Sequence, residues 1–304
     1  MAEKAKNNYK EYYELLDGIG NGAFGIVYKG KEKGKDELRA IKVIDLQKIK
    51  ENLINELYTD TDLKEQIESS IKGFKAVYEI MKICSLNNEN SVKCYEYFNN
   101  EDNFTIIMEL CDTNLSQVLT DRILKYKKGF NSEEILEILN QLNNAFKVMK
   151  ENKIIHRDLK LENILIKYKD KGHKKYIIKL SDYVSSKRLS SLTKNYLNSV
   201  NGTLLYMAPE ILKGEEYNYK CDLWSIGIII YKLYFGKFPY FGANENAIIN
   251  KIEELGNKKL KETDNKELDN LINNLLEKDS TKRLTWDQYF NHPFFEIKSR
   301  NKIK

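Results

Sequence analysis

The segment IIHRDLKLENILI, Ile154 to Ile166, sets Asp158 and Asn163 five residues apart with Lys160 between them and apolar runs on either side. A loop held between short strands can present a carboxylate, an ammonium and an amide to one spot. The carboxylate can accept a proton from a hydroxyl, the ammonium can neutralise a phosphoryl group, and the amide can ligate a metal ion. A plain polar surface turn would not need this combination. Asp182 follows 19 residues after Asn163 (182 − 163), at the end of another apolar run, where a second metal carboxylate fits.

Two further features could join that chemistry. GIGNGAFGIVYKG places Gly20, Gly22 and Gly25 in the order G-x-G-x-x-G between two strand-like pieces. Glycines there let backbone N–H groups approach phosphates with no Cβ in the way. A dinucleotide fold needs a helix at the last glycine, whereas IVYKG has the pattern of a strand; a plain Gly-rich hairpin is the bland alternative. AIKVI puts Lys42 in an alternating strand, where an inward ammonium must find a partner. A solvent-facing lysine would be the ordinary case.

The elements that must position these residues fall into two groups. LLDGIGNG, GIVYKG, LRAIKVIDL, SVKCYEYF and NFTIIMEL read as strands, interrupted by a helical stretch between about Asn52 and Leu86. After Cys111 the periodicity changes. SEEILEILNQLNNAFKVMKENKI is an amphipathic helix with Ser132 placed to cap it, CDLWSIGIIIYKLYFG is a buried helix, and KELDNLINNLLEKD is a further amphipathic one. The fold class expected is α+β and bilobal, with an antiparallel sheet and one main helix first and a mostly helical lobe second.

The totals agree with an ordinary globular chain. Of 304 residues, 50 are Lys or Arg and 45 Asp or Glu, a net charge of +5. The excess is small and spread out, without a basic stripe interleaved with aromatics, so no nucleic-acid partner is expected. The longest apolar run, IGIIIY, is far too short to span a bilayer. Cys84, Cys94, Cys111 and Cys221 lie far apart and form no C-x-x-C pair, which suggests reduced thiols in an intracellular, cytoplasmic protein. The charged N-terminus has no apolar h-region of a secretory signal.

From Tyr13 to Phe295 the chain resembles the eukaryotic protein kinase family, with its elements in the family's order. GNGAFGIV is similar to the phosphate-covering loop, AIKV to the lysine strand and HRDLKLEN to the catalytic loop. YMAPE is similar to the end of the activation segment, and DLWSIGII to the central helix of the second lobe. The resemblance implies a kinase domain over residues 13–297: a first lobe at about 13–108, a hinge at about 109–115 and a second lobe at about 116–297. Short extensions would occupy 1–12 and 298–304. It implies ATP and magnesium as cofactors, a protein substrate, control by an upstream kinase or autophosphorylation, and a monomer.

Position by position, the resemblance implies that Lys42 holds the α- and β-phosphates, Asp158 accepts the substrate proton, and Lys160 stabilises the transferring phosphoryl group. Asn163 and Asp182 would hold magnesium. Ile19, Gly20, Gly22 and Gly25 would belong to the nucleotide site, and Val27, Ala40 and Leu165 would sandwich the adenine. Glu109 and Cys111 would offer it backbone groups behind Met108, the gatekeeper. Glu210 would pair with Arg283, and Asp222 would anchor the catalytic-loop backbone. Lys42 also needs a helix glutamate, for which Glu56, Glu65, Glu68 and Glu79 are candidates. Counting back from SVKCYEYF favours Glu79, with Ile83 one turn on facing the core and Glu68 the alternative. The 37-residue separation (79 − 42) then implies an insertion of more than a dozen residues within 46–72, read as an extended helix.

Lys160 followed by GTLLYMAPE resembles the serine/threonine branch, with Thr203 near Asp158 and Lys160. The calcium/calmodulin-dependent-like and autophagy-initiating-kinase-like groups look nearest. Glu162 stands where some relatives contact a basic substrate residue. Arg157 would receive an activation-loop phosphate, carried by Ser199 or, as runner-up, Thr193. One departure is plain: the family's Asp-Phe-Gly is here Asp-Tyr-Val, Asp182 to Val184. Tyr183 fills the same space but its hydroxyl needs a partner. Val184 resists the angles that glycine allows, a cost of ~1–3 kcal/mol if they are required. An active kinase with a stiffened Asp182 is the first expectation, a nucleotide-binding pseudokinase scaffold the second. A small-molecule kinase is disfavoured by the peptide-docking look of GTLLYMAPE.

Overall fold

The computed structural model describes residues 8–22, 25–54, 60–183, 203–255 and 260–296. Five strands form the first lobe: β1 (Tyr13–Gly22), β2 (Gly25–Glu32), β3 (Leu38–Asp45), β4 (Cys94–Asn99) and β5 (Asn103–Glu109). They run antiparallel in the order β1-β2-β3-β5-β4. Local turn chemistry sets the pairings. The Asn100 side chain, for example, accepts from the backbone N–H groups of Asp102 and Asn103 at 3.0 and 2.7 Å and so closes the β4–β5 hairpin. At Gly25 φ is +155°, and a Cβ there would stand 2.1 Å from the Val43 carbonyl oxygen, so only glycine lets β2 lie this close to β3.

The 46–72 insertion takes the form of a separate helix, α1 (Leu46–Ile54), and the opening turns of a 26-residue helix, α2 (Asp60–Ser85). Helix α1 buries Leu46, Ile49 and Leu53, which follow the three- and four-residue spacing of one helix face. The inward residues of the later turns of α2 include Phe74, Val77, Tyr78, Met81 and Cys84. Ile83, expected to face the core, is instead 44% exposed, and Cys84 beside it takes the buried place at 0%.

The second lobe begins with β6 (Thr113–Asn114), α3 (Leu115–Tyr126) and α4 (Ser132–Glu151). Ser132 is not the cap of α4. Asn131 is, in a reciprocal capping box with Glu134 at 2.9 and 2.8 Å, while the Ser132 hydroxyl bonds Asp264. Strands β7 (Ile164–Tyr168) and β8 (Tyr176–Leu180) complete a three-stranded sheet with β6. The helices α5 (Pro209–Leu212), α6 (Lys220–Phe235), α7 (Glu245–Leu255), α8 (Lys266–Leu275) and α9 (Trp286–Phe290) follow. Helix α6 is buried nearly all round, as its sequence implies. A Cβ on its Gly227 would lie 2.9 Å from the Leu275 Cβ, so the missing side chain sets how closely α8 packs.

The architecture is the expected α+β arrangement of a five-stranded antiparallel sheet with its helix and a mostly helical second part. The two parts are stitched at the end of β8. Val92 N–H donates to the Leu180 carbonyl at 2.9 Å, Leu180 N–H to Asn90 at 2.8 Å, and the Asn90 amide to Ile178 at 2.8 Å. These bonds fix where the chain leaves β8, two residues before Asp182. Among the described residues, no helix is long and apolar enough to cross a membrane.

Candidate active site

The loop between α4 and β7 is held from beneath. Asp222, fully buried in the first turn of α6, accepts from the backbone N–H groups of His156 and Arg157, each at 2.8 Å. Burial raises its pKa, against the pull of the His156 charge and those two N–H groups. Arg157 adopts φ +65°, a left-handed turn that the Asp222 bonds hold in place. The His156 ring nitrogen Nε2 lies 3.0 Å from the Ser181 carbonyl, joining this loop to the residue before Asp182.

Within the loop the expected residues meet. The Asp158 carboxylate lies 2.8 Å from the Lys160 ammonium and accepts from the Asn163 amide at 3.0 Å. The same amide nitrogen donates to the Asp158 carbonyl at 2.8 Å, so the Asn163 amide oxygen is left for another partner. Lys160 also reaches the Thr203 hydroxyl at 3.4 Å. Ser181 closes the group: its N–H and its hydroxyl both donate to the Asn163 carbonyl at 2.9 Å.

Lys42, 6% exposed on β3, points into this group and makes a 2.7 Å ion pair with Asp182. Burial alone would raise the Asp182 pKa, but the charge and hydrogen bond of Lys42, with help from Lys160 and His156, hold it below the usual carboxylate value. Asp182 has φ +60°, a left-handed conformation that a short polar side chain tolerates better than most. Val184 lies outside the described residues, as do Ser199 and Thr193.

The expected Lys42–Glu79 pair is corrected by the structure. Glu79 is exposed, as are Glu65 and Glu68, and Glu56 lies outside the described residues. At 3.6 residues per turn, Phe74, Val77, Met81 and Cys84 share one face, and Glu79 projects from roughly the opposite one. Rotating Glu79 inward would expose that apolar face.

Tyr183 answers the need raised by its hydroxyl. It is 1% exposed, and its phenol bonds the Ser91 hydroxyl and the Cys84 thiol. Burial raises the phenol pKa well above its ordinary value and the Cys84 thiol to about 11. The ring packs 5.1 Å from that of His156. Ser91 and Cys84 escaped the sequence reading; only the extra oxygen of Tyr183 signalled that such partners must exist.

In the sheet above this group, Val27 lies opposite Lys42, Gly20 opposite Val27, and Ala40 opposite Met108. Gly22 pairs with Gly25, Ile19 is 49% exposed, and Leu165 sits on β7. The Glu109 N–H is taken by the Lys93 carbonyl at 2.8 Å. Its side chain pairs with Lys167 at 2.7 Å and with buried Lys179 at 3.0 Å; burial alone would raise its pKa, and the two lysines bring it down. That triad, which ties the end of β5 to the β7–β8 sheet, was also missed, because a lysine in IIKL has the look of a solvent-facing strand residue. Cys111 has no backbone bond to another described residue, and burial pushes its thiol up to about 12, so the thiol stays protonated.

Further out, Glu210 and Arg283 form a buried two-pronged pair at 2.7 and 3.0 Å, with Arg283 also bonded to the Glu277 and Lys220 carbonyls. Arg157 stacks 5.1 Å from the Tyr217 ring, and its buried Nε has no partner among the described residues. Glu162 accepts from Ser116 at 2.9 Å. A separate cleft of 710 Å³, lined by Asp112, Asp121 and Tyr168 among others, includes none of the residues around Asp158.

Among the described residues, no three His, Cys, Asp or Glu side chains form a metal cage. The Asn163 amide oxygen, without a partner among the described residues, and the Asp182 carboxylate instead offer the one or two hard donors that suit magnesium, which retains water and substrate phosphates.

Comparison with known proteins places the chain in a family. The model of the protein kinase domain matches residues 13–295. The serine/threonine-protein kinase atg1 of Dictyostelium discoideum is 32% identical over 297 residues, covering 96% of this chain and 40% of that protein. Calcium-dependent protein kinase 3 of Plasmodium berghei is 30% identical over 96% of this chain and 48% of its own length. Human serine/threonine-protein kinase Nek10 is 32% identical over 83% of this chain and 20% of its own. The chain thus spans less than half the length of each of these relatives. A family match over nearly the whole chain makes this chain a member of the protein kinase family.

Proposed function

We propose that the chain is an active serine/threonine protein kinase that transfers the γ-phosphate of ATP, with magnesium, to a protein hydroxyl. The observation that carries the reading is the connected set Lys42–Asp182 and Lys160–Asp158–Asn163, linked through Ser181. Asp158 has its Oδ2 engaged by Lys160 and Asn163, which leaves Oδ1 to orient a substrate hydroxyl and take its proton. Lys160 stands ready to neutralise charge on the transferring group, and its contact with Thr203 supports the serine/threonine assignment. Lys42 would steady the nucleotide phosphates. Asn163 and Asp182 would hold magnesium, which when bound offsets phosphate charge. Positioning and electrostatics do the chemistry here.

The adenine would lie between Val27, Ala40 and Leu165, beside Met108, with the Cys111 backbone groups and the Glu109 carbonyl facing its edge. The Nε of Arg157, which has no partner among the described residues, supports its role as receiver of a phosphate on Ser199 or Thr193. The outward Glu79 is the specific observation that favours a second reading, a nucleotide-binding pseudokinase.

Transfer of label from γ-labelled ATP and magnesium to myelin basic protein, or to the chain itself, separates the two. Asp158→Asn should lower the rate by ~10²–10⁴-fold. Transfer no faster in wild type than in Asp158→Asn, with ATP still bound, would establish the pseudokinase instead.

A further inference from the structure

Lys232 lies toward the end of α6, between buried Tyr231 and Leu233, and is itself only partly exposed. Its ammonium donates to the Tyr206 hydroxyl at 3.0 Å. It stands 4.2 Å from the Phe238 ring centroid and 5.2 Å from that of Tyr206. Among the described residues no carboxylate lies within ion-pair distance of it, and burial lowers its pKa, with only Glu162 pulling the other way.

This cation borders the reacting centre. Tyr206 ends the short helical turn that starts at Thr203, the residue touched by Lys160. The Tyr206 phenol feels the charges of both Glu162 and Asp158. Tyr206 therefore stands between the catalytic loop and Lys232. A lysine that merely covered an aromatic surface would carry its head out to water. Here the head is tied to a hydroxyl and framed by two rings, a setting that strengthens its pull on an anion by excluding solvent.

Building on the kinase reading above, we infer that Lys232, framed by Tyr206 and Phe238, selects a substrate with a carboxylate-bearing residue close to the acceptor hydroxyl and turns away arginine and lysine at that position. Glu162 alone would draw a basic residue there. Its carboxylate is already engaged by Ser116, and the nearby Lys232 opposes any incoming cation. The expected preference thus runs opposite to the one that Glu162 suggests in isolation.

A peptide library in which each position flanking a fixed serine is varied in turn, phosphorylated with labelled ATP and magnesium, tests this. Wild type should favour aspartate or glutamate over arginine at one nearby position by about five-fold, the size expected of a partly exposed ion pair. Lys232→Arg should retain the preference, Lys232→Met should flatten it, and Lys232→Glu should reverse it toward arginine, with melting curves showing each variant folded. Wild-type selection of arginine, or unchanged selectivity in folded Lys232→Glu, overturns the inference while leaving the kinase reading intact. No transfer to any peptide or to the chain itself overturns both.

Discussion

Below the cleft, Asp158 is fixed through Asn163, Lys160 and the Asp222 cradle, with the Glu210–Arg283 pair behind; above it, Lys42 has one ionic partner among the described residues, Asp182, which itself comes from below. The lower wall is a network of mutually supporting bonds, part of it buried. At the cleft itself the upper wall meets it through the Lys42–Asp182 ion pair and through Tyr183, and among the described residues no carboxylate of α2 pairs with Lys42. The difference teaches that order at Asp182 is set largely from beneath and behind, by β8, Ser181 and His156, while α2 contributes the Cys84 thiol to Tyr183 rather than a carboxylate to Lys42.

The comparison can be broken most forcefully at the buried pair. Glu210→Gln leaves the Arg283 charge, 0% exposed in its side chain, without a counter-ion, and should cost about 3–5 kcal/mol of stability by denaturant titration. A loss under about 1 kcal/mol would show that the lower wall is not held as described. The link between the walls is smaller. Tyr183→Phe leaves buried Ser91 and Cys84 without their shared partner, and should cost about 1–3 kcal/mol. The same variant should loosen Asp182, read as a raised KM for ATP. Unchanged stability and KM would mean that the hydroxyl is a passenger.

Much of the lower wall was legible in the sequence because it is local. Asp158, Lys160 and Asn163 sit within one short loop, and Asp222 opens a helix recognisable from its unbroken apolar run. Glu210 and Arg283 are distant in the chain, and their pairing came from resemblance rather than spacing. The phase of α2 was not legible. Apolar side chains occur all round its last turns, so Val77, Met81 and Cys84 compete with Ile80, Ile83 and Leu86 for the inner face. Counting back by length selected Glu79; packing selected the other face. The capping residue of α4 was missed by one position for a related reason, since Asn131 and Ser132 are both good caps and only the reciprocal bond with Glu134 decides between them. The buried Lys179 could not be foreseen either, because its partner Glu109 lies on another strand and lysine in a strand is ordinarily solvated.

The most direct test of the central claim is to measure kcat/KM for phosphate transfer in Glu79→Gln beside Asp182→Asn. The structure predicts that Glu79→Gln stays within about two-fold of wild type, as befits an exposed residue with no ionic role. Asp182→Asn, which removes both the partner of Lys42 and the proposed metal carboxylate, should fall by about 10²-fold or more. If Glu79→Gln falls as far as Asp182→Asn, α2 must turn to bring its glutamate to Lys42 during turnover, and the account of a cleft ordered from below is wrong.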